Sequence, residues 1–91
     1  MRQDRYVAPG PFATPTEAEM LANLAEECAE VSQRVMKMLR FGLDDREPED
    51  PKNNRWRLGE ELGNLEVMIE VIRALGLSND DGFYRGKQKK Y

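Results

Sequence analysis

Apolar residues recur at the period of an α-helix in two places along the chain. Leu24, Cys28, Val31 and Val35 fall on one line if the backbone turns by about 100° per residue, and Leu58, Leu62, Leu65 and Ile69 repeat that line. Each stripe lies in a long segment without internal proline. Thr14 is a suitable N-cap for the first, with Pro15 at the first helical position and Glu17 three residues after the cap. The helix is predicted from Pro15 to about Arg40, where Phe41-Gly42 stops it. At ~1.5 Å per residue it is roughly 39 Å long. Asn53 or Asn54 caps the second helix, which runs to about Leu75 and stops at Gly76. Between them, Asp44, Asp45, Pro48, Asp50 and Pro51 make residues 43–52 a loop.

Ser78, with Asp81 three residues on, caps a shorter third helix from about Asn79 to Lys90. Gly82 and Gly86 each cost it about 1 kcal/mol relative to alanine, so it needs packing or a ligand to be ordered. Residues 1–13, with Pro9, Gly10 and Pro11, read as an extended N-terminal arm. No run of alternating β-branched residues predicts a strand. The expected fold is therefore all-α, one domain over residues 1–91: two long antiparallel helices plus a short C-terminal helix.

Two long helices and one short one do not enclose a core. Val67 and Val71, with Ala74 close by, form an apolar surface on the side of helix two away from its main stripe. A second apolar face on so short a chain calls for a partner helix. The expected assembly is a homodimer, or a dimer of dimers, that completes a four-helix bundle core.

Composition narrows the chemistry. The chain has 91 residues, no histidine, one cysteine and a net charge of −3. Histidine general bases, histidine zinc sites and thiolate zinc sites are excluded, so any metal is bound mainly by oxygen. Cys28 lies in the apolar stripe and reads as a small core residue. With no disulfide inside the chain, a reducing cytoplasmic location is expected. No hydrophobic run is long enough to span a membrane. The acidic balance argues against nucleic-acid binding, although Arg85, Lys87, Lys89 and Lys90 make the C-terminal end basic.

Carboxylates border both stripes in the same phase. Glu27 lies roughly 60° and Glu30 roughly 120° to one side of the first stripe, and Glu61 and Asn64 stand at the same angles from the second. If the stripes pack together, these four residues converge beside the seam. Three carboxylates and an amide oxygen on rigid helices suit a hard divalent cation such as Mg²⁺, with Mn²⁺ as an alternative. The opposing reading is a solvated glutamate-rich helix face, since Glu-x-x-Glu spacing is common in helices.

Glu26-Glu27-Cys28-Ala29-Glu30 followed by Glu60-Glu61-Leu62-Gly63-Asn64 resembles the Glu-Glu-x-x-Glu … Glu-x-x-Asp signature of MazG-like all-α nucleoside triphosphate pyrophosphohydrolases. Leu39-Arg40-Phe41-Gly42-Leu43 is similar to the helix exit of short, phage-type members. The resemblance covers about residues 21–90. It implies Mg²⁺-dependent hydrolysis of a (d)NTP to a (d)NMP and pyrophosphate. It further implies metal ligation by Glu27, Glu30, Glu61 and Asn64, and a water-orienting or proton-accepting role for Glu26. Lys87 and Lys90, downstream of the second acidic motif, would face the substrate phosphates. Phe12 and Trp56 are candidates to stack a base, and Arg40 complements the C-terminal dipole of helix one.

One position departs from the signature. Asn64 stands where the family carries aspartate, keeping a carbonyl oxygen but losing a charge that a hard cation prefers. The expected activity is weakened accordingly. The alternative is a catalytically inactive helical dimer that serves as a nucleotide-binding or interaction module.

Overall fold

A computed structural model describes residues 15–91, so Phe12, the Thr14 cap and the arm lie outside the described residues. Three helices and no strand occur among those described: α1 (Pro15–Phe41), α2 (Asn54–Ala74) and α3 (Asp80–Lys90). Helix α1 opens at Pro15, carries Glu17 in its first turn and Arg40 in its last. Gly42 follows it at φ 104, a backbone region closed to most L-residues, and donates its N–H to the Met38 carbonyl at 2.8 Å.

Helix α2 is capped at both ends by local chemistry. The Asn53 side chain accepts the Trp56 N–H at 3.0 Å, which settles the choice between Asn53 and Asn54. At the other end Leu77 N–H donates to Ile72 O and Gly76 N–H to Arg73 O, both at 3.0 Å, with Gly76 at φ 72. This is the Schellman closure that glycine makes inexpensive. The third cap differs from expectation. Asn79, not Ser78, accepts the Gly82 N–H at 2.8 Å, so α3 starts at Asp80.

Helices α1 and α2 pack as an antiparallel hairpin, because Arg34 meets Asn54 while Glu27 and Glu30 meet Glu61 further along. The loop of residues 42–53 sets their register. Asn54 N–H donates to Asp45 O at 2.9 Å and Arg55 N–H to Leu43 O at 3.2 Å. Asn54 is only 5% exposed. Its Nδ2 donates to Gly42 O at 2.9 Å, and its Oδ1 accepts from Arg34 Nη1 at 3.2 Å. One buried amide thus ties the end of α1, the loop and the start of α2 together.

The seam is not the one read from apolar residues alone. The less exposed positions of α1 include Leu24, Glu27, Val31, Arg34 and Met38; those of α2 include Leu58, Glu61, Leu65, Met68 and Ile72. At 100° per residue, each helix is turned by roughly 50° from the expected stripe, toward its carboxylate side. Half of each stripe therefore stays outside. Val35 is 38% and Leu62 47% exposed, and Cys28 is exposed rather than a core residue. Ile72, 5% exposed, is the only buried hydrophobic residue among the described residues.

Helix α3 is anchored to the end of α2 by one side chain. Arg73 donates to Tyr84 Oη at 3.1 Å, pairs with Asp80 at 3.4 Å, and lies 3.9 Å from the Phe83 ring centroid. These contacts supply the packing that a helix with two glycines needs. The described helices include none long and apolar enough to cross a membrane.

Candidate metal centre

The rotation of both helices moves Glu27 and Glu61 from beside the seam into it. One carboxylate oxygen from each of Glu27, Glu30 and Glu61 lies within 4.8 Å of the others. Glu27 and Glu30 come from one face of α1, three residues apart, and Glu61 reaches across from α2. Glu27 and Glu61 are half-buried, whereas Glu30 is exposed.

Three like charges held this close repel one another. The Glu61 carboxylate, then that of Glu27, and then partial loss of solvation hold the Glu30 pKa above its ordinary 4.5. Oε1 of Glu27 and Oε1 of Glu61 are sheltered from water and have no hydrogen-bond partner. A sheltered oxygen without a donor costs about 1–3 kcal/mol, more when it carries charge. No lysine or arginine among the described residues forms an ion pair with these three carboxylates.

This donor set fits a hard divalent cation. The ligands are all oxygen, and the two orphaned atoms are acceptors waiting for a positive partner. Opposite oxygens on Mg²⁺ are about 4.2 Å apart, twice its bond length of ~2.1 Å. A separation of up to 4.8 Å closes to that with small side-chain rotations.

The remaining expected site residues are placed less tightly. Asn64 follows Glu61 by three residues on α2 and is exposed, with no hydrogen bond among the described residues. Glu26 is exposed on α1. Lys87 lies 5.4 Å from the Phe83 ring centroid, and Lys90 is exposed in the last turn of α3. Their helix is rooted at Arg73, twelve residues and roughly 18 Å along α2 from Glu61. No hydrogen bond or ion pair joins either lysine to the three carboxylates. Trp56, in the first turn of α2, has Lys52 Nζ 4.2 Å from its ring centroid and is 47% exposed. Arg40 lies 5.9 Å from the Phe41 ring centroid in the last turn of α1, in keeping with a dipole role.

Sequence reasoning missed Arg34, and it offered Asn54 only as a helix cap, not as the buried amide that ties the hairpin. The signal was available for Arg34, which sits between Val31 and Met38 at heptad spacing. The structure gives it a buried partner, Asn54. Comparison with protein-family models, with curated protein sequences and with solved structures finds no match.

Proposed function

We propose that the chain is a Mg²⁺-dependent nucleoside triphosphate pyrophosphohydrolase, as its resemblance to the MazG-like family implies. The observation that carries this reading is the approach of Glu27, Glu30 and Glu61 to within 4.8 Å, with sheltered, unpartnered oxygens on Glu27 and Glu61. A protein does not lower its energy by turning carboxylates toward one another in a helix seam. A site built for a divalent ion does so, because repulsion becomes attraction when the ion is bound.

In this reading Glu27, Glu30 and Glu61 hold the ion, and Asn64 supplies a neutral oxygen from the next turn of α2. The ion supplies charge neutralisation for a triphosphate and polarisation of the bond that breaks. The chain's own part is to hold the donors on rigid helices and, through Glu26, to orient water or accept its proton. Lys87, Lys90 and Phe12 remain the proposed substrate contacts. Because α3 is anchored far from Glu61 on α2, the two lysines are proposed to act on the site of a second copy. Val35 and Leu62, at the edge of the hairpin seam, and Val67, on the opposite side of α2, are exposed apolar residues that a second copy would cover in a four-helix core. A cytoplasmic location accords with the free thiol of Cys28.

The exposed, uncharged Asn64 favours a second reading: a helical dimer that binds nucleotide or a partner without hydrolysis. Incubation with a panel of (d)NTPs separates the two. Pyrophosphate release that requires Mg²⁺ supports the hydrolase. Metal and nucleotide binding without release, for every nucleotide tried, overturns it in favour of the binding module.

A further inference from the structure

One turn beyond the carboxylates, toward the closed end of the hairpin, lies a cavity of about 360 Å³. That is the lower end of the ~300–1,000 Å³ range of small-molecule sites. Arg34 follows Glu30 by four residues on α1, and Arg57 precedes Glu61 by four on α2, each a rise of about 6 Å. Both arginines line the cavity. The seam therefore changes sign within roughly one helical turn, from carboxylate to guanidinium.

Five cationic and three acidic side chains line the cavity, a positive surplus in a chain whose net charge is −3. Not all of the cations are free. Arg57 is paired with Asp50 at 2.9 Å, and Arg46 donates to the Asp50 carbonyl at 2.8 Å. Lys52 lies over Trp56. Arg34 and Lys37 differ. Arg34 gives Nη1 to Asn54 and its Nε is shielded from solvent, but its Nη2 makes no hydrogen bond among the described residues. Lys37, three residues further along α1, makes no hydrogen bond or ion pair among the described residues. The first N–H groups of α2 do not contribute, because Asp45 O, Leu43 O and Asn53 Oδ1 already accept them. Attraction for an anion therefore comes from side chains.

We propose that this cavity is an anion subsite that takes a phosphoryl group, with Arg34 and Lys37 as its ligands. A guanidinium with an unused N–H beside a free ammonium matches the several acceptor oxygens of a phosphate. Asp45 and Glu47 in the lining limit the site to an anion that enters between them rather than an extended acidic surface. The site would hold the part of a nucleotide's phosphate chain that lies away from the ion at the carboxylates; this assignment rests on the hydrolase reading, whereas anion binding itself does not.

Calorimetric titration with inorganic pyrophosphate in EDTA tests it without metal or turnover. Wild type binds, and the affinity falls as salt is raised. Lys37→Gln and Arg34→Gln each bind at least tenfold more weakly. Arg34→Gln also disturbs Asn54, so Lys37→Gln, which removes no hydrogen bond or ion pair among the described residues, is the deciding variant; circular dichroism confirms its helix content. Glu61→Gln keeps the pyrophosphate binding. Absence of binding by wild type, or equal binding by Lys37→Gln, overturns the proposal. Lys37-dependent pyrophosphate binding in a protein that hydrolyses no nucleotide leaves the subsite standing and removes the hydrolase reading. Hydrolysis with an unchanged KM in Lys37→Gln does the reverse.

Discussion

Glu61→Gln should make the metal-free protein more stable and the magnesium-loaded protein less stable than wild type. The substitution keeps the size and the seam position of a half-buried side chain. It removes one charge from a group whose oxygen lies within 4.8 Å of that of Glu27. Two unit charges 4.8 Å apart repel by ~0.9 kcal/mol in bulk water and ~3.5 kcal/mol at an effective dielectric of 20. Because the pair is only half sheltered, the lower end applies. The variant without metal should gain about 1 kcal/mol, or roughly 4–8 °C in Tm for a chain of this size. Its new amide N–H also gains the neighbouring carboxylates as acceptors. Magnesium at 100 times its Kd stabilises wild type by ~2.7 kcal/mol through mass action, or about 11–22 °C. The variant should show little of that shift. Melting curves by circular dichroism, in EDTA and across a magnesium series, measure both effects. The order of the two Tm values reverses between the two conditions. A variant that is less stable than wild type in EDTA, or one that keeps the full magnesium shift, refutes the placement of Glu61 at a cation site.

Three further outcomes follow from named contacts. Asn54→Ala removes the amide that satisfies Gly42 O and Arg34 Nη1, and should cost about 2–3 kcal/mol by urea unfolding, since both buried groups are left unpaired; a cost under about 0.5 kcal/mol contradicts that role. The raised pKa of Glu30 makes its contribution to stability opposite in sign to that of an ion-paired carboxylate: it is fully present below the ordinary 4.5 and is lost as pH rises through the raised folded value. Wild type in EDTA should therefore lose Tm relative to Glu30→Gln as pH climbs above 4.5, and magnesium should reverse the order, because it stabilises wild type and not a variant that lacks this ligand; parallel pH curves in EDTA count against the repulsion. Asn64→Asp should bind Mg²⁺ on the order of tenfold more tightly, the scale of one supporting group at a metal site, and hydrolyse at least one (d)NTP faster; equal affinity by calorimetry places Asn64 away from the ion.

The helices were legible because their ends carry local signals. Pro15, Asn53, Gly42 and Gly76 act through their own backbone or through an N–H three residues away, so no tertiary knowledge is needed to place them. The third cap went to Asn79 rather than Ser78 because two adjacent residues can both cap, and the turn after Gly76 decides which side chain reaches Gly82. The seam was harder. Helical period gives the centre of a wide apolar stripe but not which neighbour each edge meets. The hairpin takes one edge, with Leu24, Val31, Leu58 and Leu65, and leaves Cys28, Val35, Leu62 and Ile69 outside. Arg34 lies on the same edge of α1 as Glu27, and an apolar stripe by itself gives no signal for a cation in that position. The meeting of Glu27 and Glu30 with Glu61 depends on the register of two helices, which Asn54 and the loop set through contacts across twelve and twenty residues. The phase of the carboxylates was visible in the sequence; that register was not.

The most direct test of the central claim is product analysis of wild type and Glu61→Gln with a panel of (d)NTPs, in magnesium and in EDTA. Separation by anion exchange distinguishes cleavage between the α and β phosphates from loss of the terminal phosphate. The account predicts equal amounts of nucleoside monophosphate and pyrophosphate from wild type in magnesium, none in EDTA, and at least a tenfold lower rate from Glu61→Gln. No monophosphate from any nucleotide, or equal rates from the two proteins, contradicts it.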